Sequence, residues 1–369
     1  MSNAAEPVVL VASSEFILKS SPVRRTLEQR LIDDLKFAIR RESLDCSRIE
    51  KEAARLVVFG TKQNDLAATV CQHVFGVAYA APALLLTKPT LDEIAQTILQ
   101  LAEQQLSPGK SFAVRAHRST SGSIARHDVE LEGGSVVLRA FKEQGMHVDL
   151  HDPDFTFYVH MVGDDAYVYC RKLIGPGGLP LSAQWKMLAV LDSGPLSILA
   201  ALAMMRRGCV VELMIPTSPA IADLSSEPQL ALARRAGRLV TRPSYKGFVM
   251  EMEKQPRGGD AGNVNWRDFV RASAAKFALD NRFKGLIFGD ISGDLSTFRT
   301  YPGPSPLPIF YPLLGMEEED LTELLSLAEL DDRQPLSKWG SSGRSSLTQS
   351  QIKSLVEETS VPLVREIQF

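Results

Sequence analysis

At 369 residues, 44% apolar and 23% charged, the chain is long enough for two or three domains with real cores, and its composition excludes disorder as the default state. Lysine and arginine number 41 against 44 acidic residues, a net charge of 41 − 44 = −3, which does not advertise a nucleic-acid binder. The distribution is uneven: residues 301–369 hold 5 basic against 11 acidic side chains, which leaves 36 against 33 for residues 1–300, while residues 19–62 alone hold 11 against 7. A weakly basic front and an acidic tail permit an RNA face. Cys46, Cys71, Cys170 and Cys209 are scattered without CxxC spacing, and Cys170 and Cys209 lie in apolar, strand-like runs, the pattern of buried structural thiols in a reduced cytoplasmic protein. No basic residue precedes the apolar run Val8–Ala12, so it does not read as a signal peptide, and Asp192 and Pro195 interrupt the apolar run 188–205. No membrane segment is expected.

In chain order, Val8–Ala12 reads as a strand, and Thr26–Arg41 as a helix with Leu27, Leu31, Leu35, Ala38 and Ile39 on one stripe. Strands at Arg48–Lys51 and Arg55–Phe59, a helix near Asn64–Phe75 and a strand at Val77–Pro82 complete a ferredoxin-like order. Next come a helix at Thr90–Leu106, a strand at Ser111–His117, a helix near Ile124–Arg139, and strands at Met146–Leu150, Phe155–Val162 and Tyr167–Leu173.

The most informative stretch is Gly175–Gly208. A glycine-rich turn leads into the apolar run Met187–Leu191, then the tight turn Asp192-Ser193-Gly194-Pro195, then a helix at Leu196–Met205 closed by Arg206, Arg207 and Gly208. Cys209–Pro216 reads as the next buried parallel strand, making a βαβ unit whose helix start can face a phosphate. Alternation continues with helices at Gln229–Ala236 and Asn265–Arg282, a strand at Lys284–Gly289, a Pro-rich link at Tyr301–Pro308, a strand at Ile309–Leu314, and an acidic helix from Met316. The loop Ser341–Ser346 precedes a last helix at Gln349–Glu358.

Several of these stretches resemble the tRNA 4-thiouridine synthetase family, in its archaeal-looking form. Gly177-Gly178-Leu179-Pro180 and Met204-Met205-Arg206-Arg207-Gly208 match that family's entry to its pyrophosphatase-loop domain without a gap, and Ser14–Arg25 is close to its N-terminal signature. Phe112–Arg115, Val148–Asp154 and Ala166–Tyr169 resemble a THUMP domain, the RNA-binding module that in this family holds the tRNA acceptor end. The resemblance implies an α/β and α+β multidomain chain. Residues 1–76 would form a ferredoxin-like domain, 77–174 the THUMP domain, and 175–369 a Rossmann-like, parallel-sheet domain of the pyrophosphatase-loop, adenine nucleotide alpha hydrolase-like type.

The implied RNA contacts are Lys19, Arg24, Arg25, Lys110, Arg115, Arg118, Arg171 and Lys172. On the residues alone, Arg24 and Arg25 read as solvated side chains near a helix start, and Arg115 and His117 as outward positions of an ordinary strand; the RNA reading comes from the resemblance. Arginines at strand edges can take phosphates bidentately, and reading a backbone needs no base code.

The family loop reads Ser-Gly-Gly-x-Asp-Ser-Pro, whereas this chain has Asp192, Ser193, Gly194, Pro195, Leu196 and Ser197. Asp192 sets a negative charge where phosphate would sit, Ser193 restricts the backbone, Pro195 removes an N–H, and Leu196 replaces the carboxylate that helps organise nucleotide and cation. The sulfur side departs as well, with Asn263-Val264-Asn265-Trp266 where a CxxC could stand and no cysteine near Lys338–Ser342. The loop therefore reads as vestigial, with no catalytic residue and no metal or cofactor expected. The expectation is a tRNA-binding scaffold or partner of a tRNA-modifying enzyme, with a homodimer possible. The alternative is an active sulfurtransferase that uses ATP and Mg and takes sulfur from a separate carrier protein.

Overall fold

The computed structural model describes residues 5–13, 19–218, 246–252, 266–291, 307–327 and 363–368, with single positions and short pairs between 230 and 263. Half of the helix expected at Gln229–Ala236 falls outside the described residues, as do residues 14–18 and 301–306. So do the loop Ser341–Ser346, the helix Gln349–Glu358, and the Lys338–Ser342 segment. The chain divides into two compact units, residues 1–177 and 178–369. No described helix is long and apolar enough to cross a membrane.

The first unit runs β1 (Glu6–Ser13), α1 (Ser21–Arg41), β2 (Arg48–Glu52), β3 (Arg55–Phe59), α2 (Asn64–Gln72) and β4 (Val77–Leu86). It continues with α3 (Leu91–Gln105), β5 (Ser111–Arg118), α4 (Arg126–Phe141), β6 (His147–Val148), β7 (Phe155–Val162), β8 (Asp165–Tyr169) and β9 (Leu173–Ile174). All nine strands form one sheet, in the order β2-β3-β1-β4-β8-β7-β5-β6, with β9 on β4. The strands of residues 6–59 and those of residues 111–169 are thus joined into one sheet through β4–β8, where Leu85 faces Tyr167.

Side chains alternate faces along a strand, so β4 separates two layers. Leu86 joins Ile94, Ile98, Val129 and Val137 of α3 and α4, whereas Ala81, Ala83 and Leu85 join Val8, Leu10, Val57, Phe59, Tyr167 and Tyr169 in a cluster without any helix residue. The apolar stripe of α1 (Leu27, Leu31, Leu35, Ile39) is buried, and the sheet face left for it is that of Val9, Val11, Leu56 and Val58. Among the described helices, α1, α3 and α4 therefore lie on one face of the sheet. Helix α3 opens with a full capping box between Thr90 and Glu93.

Several boundaries differ from the sequence reading. Helix α1 begins at Ser21, so Pro22 and Arg24 lie in its first turn instead of in the preceding loop; proline suits that position, where its missing N–H has no partner to lose. The expected Tyr167–Leu173 strand breaks after Tyr169, and Leu173 re-pairs with Ala80 of β4. Met146–Leu150 pairs only at His147 and Val148.

The second unit holds β10 (Lys186–Val190), α5 (Pro195–Arg206), β11 (Val210–Thr217), β12 (Lys246–Glu251), the β13/β14 pair (Arg257–Gly258 and Gly262–Asn263), α6 (Trp266–Asp280), β15 (Leu286–Ile287), β16 (Ile309–Phe310), α7 (Glu318–Leu327) and β17 (Leu363–Gln368). Its main sheet is ordered β16-β15-β10-β11-β12-β17, parallel except for β17. Helix α5 is apolar all round and almost wholly buried, as a helix within a layered core must be. Gly178, at φ +71°, is packed so that any Cβ would strike the carbonyl of Arg206. The glycine-rich lead-in is thereby fixed to the end of α5.

Candidate functional sites in the two units

In the first unit the helix-free face of the sheet carries cations laid over aromatic rings. Lys172 Nζ stands 3.5 Å from the Tyr158 ring centre and 5.3 Å from that of Tyr79, Arg55 lies 5.4 Å from Tyr79, and Arg48 3.9 Å from Phe59. Tyr158 stacks on Tyr169 at 5.2 Å, and His117 on His160 at 5.5 Å. Tyr79, Tyr158, Lys172 and Arg55 are half-buried while His117 and Arg115 are exposed, so part of the surface is open to a ligand. Burial, with help from Arg55 and His117, pushes His160 down to about 3, keeping that ring neutral inside the patch.

The sequence-derived cations do not form one cluster. Arg115 pairs with Tyr158 across β5–β7 and so shares the helix-free face, where its Nη2 donates to the Leu150 carbonyl at 2.8 Å. Arg118, three residues on, points to the opposite face. Its guanidinium donates to the carbonyls of Gly163 (3.0 Å), Thr120 (3.4 Å) and Ile124, stapling the β5–α4 and β7–β8 turns together. Lys110 is held by Asp154 at 2.8 Å, and Arg171 by Asp65 at 3.2 Å. Lys19 and Arg25 are exposed beside the start of α1, and Arg24 lies 4.0 Å from Glu28. That first turn contains no acidic residue, so its N-terminal partial charge is matched by cations instead of anions. A phosphate there would relieve the repulsion. Arg48, Arg55, Tyr79 and Tyr158 were missed by the sequence reading; the period-2 alternation of their strands was the available signal.

In the second unit the turn after β10 is filled by protein groups. Asp192 has a fully buried side chain, and its Oδ2 accepts from Arg271 Nε at 2.6 Å, with Arg267 Nε at 4.0 Å. Its Oδ1 accepts from Ser193 Oγ at 2.9 Å, and its carbonyl from Arg267 at 3.2 Å. Arg271 also donates to both oxygens of Asp290, at 2.8 and 3.0 Å, and lies over the Phe288 ring at 4.3 Å. Burial alone would raise the Asp192 carboxyl, but Arg271, Arg267 and the hydrogen bonds from Arg271 and Ser193 hold it below the ordinary value. For Asp290 burial wins and its carboxyl is raised, with Arg271 opposing and Asp192 adding to the rise.

Two of the turn's amides are bonded within it. Ser193 N–H donates to Ser197 Oγ at 2.9 Å, and Ser197 N–H to the Gly194 carbonyl at 3.1 Å. Gly194 takes φ +57° as the N-cap, Pro195 starts the helix, and Leu196 is 1% exposed, facing the core. A Cβ on Gly289 would come within 2.5 Å of the Ser197 nitrogen, so the β15 end packs directly against this turn.

All four thiols are raised. Burial lifts Cys71 to about 12 and Cys209 to about 11, and it outweighs Lys36 and Arg40 at Cys46 and Arg171 at Cys170. Cys209 is buried as expected; Cys170 is only half-buried, because β8 ends one residue earlier. Among the described residues, no group of three His, Cys, Asp or Glu side chains could hold a metal.

Sheet topology, the paired units and residues 88–171, which match the THUMP domain family, define a THUMP-containing multidomain α/β protein. The chain is 34% identical to a probable tRNA sulfurtransferase of Methanosarcina mazei over 86% of its own length and 81% of the relative's, and 32% identical to one of Methanobrevibacter smithii over 88% of each. It belongs to the tRNA sulfurtransferase, or 4-thiouridine synthetase, family. In fold it is similar to a 4-thiouridine synthetase solved as an RNA complex with bound ATP (TM-score 0.73, 17% identity, 98% of this chain and 100% of that one). It is also similar to a protein of Pyrococcus horikoshii (TM-score 0.64, 23% identity, 87% and 98%).

Proposed function

We propose that this chain binds tRNA through its first unit and serves as a non-catalytic scaffold or partner in tRNA modification. The THUMP match and the family's solved RNA complex support the tRNA ligand. The cation-on-aromatic face supplies both things an RNA end needs, positive charge for phosphates and half-open rings for bases.

The observation that carries the non-catalytic reading is the buried Asp192 carboxylate inside the loop. A nucleotide's phosphates would meet a fixed negative charge there, a turn whose Ser193 and Ser197 amides are already bonded, and a proline with no N–H. The loop does not fit ATP with Mg, and Leu196 offers no carboxylate for the cation. No described thiol has the lowered pKa of a sulfur carrier.

The names and high coverage of the relatives favour a second reading, an active ATP-dependent tRNA sulfurtransferase fed by a separate sulfur carrier. One experiment separates the two. Nucleosides from tRNA of deletion, parent-complemented and Cys46/Cys71/Cys170/Cys209→Ser-complemented cells are compared by mass spectrometry, alongside ATP thermal shifts of the purified parent. The scaffold reading expects the same modification level with parent and variant and no ATP shift. A thionucleoside restored only by the parent, with a folded variant, overturns it, and so does a clear ATP shift.

A further inference from the structure

The order β16-β15-β10-β11-β12 fixes where a ligand of this sheet would bind. From β10 the chain steps to β11 and β12 on one side, and only later reaches β15 and β16 on the other. The switch point lies between β10 and β15, and open parallel sheets bind ligands in the crevice beyond the strand ends at that place. Asp192 follows the end of β10 and Asp290 the end of β15. Both meet Arg271 there, with Arg267 beside them.

The charges balance as two arginines against two carboxylates. The carboxylates are not equivalent, however. Asp290 takes a forked pair of bonds from Arg271 Nη2 alone, whereas Asp192 collects Arg271 Nε, the neighbouring Arg267, and the Ser193 hydroxyl. Two guanidinium groups and a hydroxyl converging on one oxyanion resemble the donor set of a phosphate seat, and here the oxyanion is covalently part of the turn.

We propose that Asp192 is a tethered anion: its carboxylate fills a phosphoanion seat made by Arg271, Arg267 and the Ser193–Ser197 turn, and its removal uncovers a site for inorganic pyrophosphate. The proposal rests on the reading of this loop as closed to nucleotides. It explains why two arginines of α6 face a turn that does not fit a nucleotide: they neutralise the carboxylate that stands in the ligand's place. It also makes the second unit's stability independent of any anionic ligand.

The test compares parent, Asp192→Gly, Asp192→Asn and Asp192→Gly/Arg271→Gln by thermal unfolding and calorimetry with sodium pyrophosphate, using sodium chloride of equal ionic strength as control. The parent should show no shift. Asp192→Gly should melt lower and then recover by about 3–6 °C at pyrophosphate about tenfold above its Kd. Asp192→Asn, whose amide still fills the seat, should melt lower without recovery, and the double variant should not recover either. If Asp192→Gly fails to fold, refolding in pyrophosphate should rescue it where chloride does not, and an absence of rescue overturns the proposal. A folded Asp192→Gly that ignores millimolar pyrophosphate, or a double variant that responds as strongly as the single one, also overturns it. ATP binding by the parent is a different outcome: it sinks the scaffold reading, while a silent parent with a silent Asp192→Gly sinks only the tethered anion.

Discussion

The two units treat their arginines in opposite ways. On the first unit's sheet, Arg48, Arg55, Arg115 and Lys172 lie over rings or beside carbonyls with part of their surface left to solvent. In the second unit, Arg271 is 6% exposed and closed between two carboxylates. A half-open cation over an aromatic ring can exchange water for phosphate at little cost, whereas a buried, neutralised one must first lose its protein partner. The first arrangement suits a binding surface and the second a structural knot.

That contrast is broken most directly at Arg271. Arg271→Ala leaves Asp192 and Asp290 buried without their shared partner, and removing one member of such a cluster typically costs about 3–5 kcal/mol. A chemical-denaturation midpoint for the second unit that stays in place would show that the knot carries no stability.

The next effect separates Arg115 from Arg118. Arg115→Ala is expected to weaken tRNA binding and reduce the log–log salt slope by about one phosphate contact, roughly 0.7–0.9 units. Arg118→Ala should instead destabilise the first unit by about 1–3 kcal/mol through its orphaned carbonyls, with the slope of the folded protein unchanged. Filter binding at several salt concentrations, paired with melting curves, distinguishes them; equal slopes for both variants would remove the face assignment.

A smaller effect concerns the thiols. With every pKa raised by burial, alkylation by iodoacetamide at pH 7.5 should be slow for all four, and slowest for Cys71 and Cys209. Peptide mapping that finds one cysteine modified as fast as a low-pKa thiolate would reopen the sulfur-carrier reading.

The smallest is a pH effect at Asp154. Bonds from Lys110 and from the Ser111 backbone and hydroxyl pull its carboxyl down to about 2. A depressed folded pKa means that this contribution is present above the unfolded value near 3.8 and is lost as pH falls toward 2. Asp154→Asn should therefore lower the first unit's stability modestly at pH 7 and flatten the acid limb of its stability curve, with variant and parent converging as pH falls toward 2. An unaltered limb would show that the cluster is too solvated to matter.

Much of the fold was legible because it is local. The stripe Leu27–Ile39, the Thr90–Glu93 cap and the glycine-bounded βαβ unit each carry their signal within one or two turns of chain. The opposite faces of Arg115 and Arg118 were legible too, since an odd spacing in a strand always separates faces, yet the two were grouped as one site.

The sequence by itself determined much of the order of strands and helices and the family, because those depend on residue type and spacing alone. Only the tertiary structure decided which groups surround Asp192. Asp192 and Arg271 are 79 residues apart and Arg271 and Asp290 another 19, and no periodicity links such positions. They meet because β10 and β15 pair in parallel and α6 packs against β10, a choice made by burial of Leu188, Val270, Leu286 and Phe288 in one core. The charge cluster is a consequence of that apolar packing, and apolar packing between distant segments is what a linear reading of residue types does not contain.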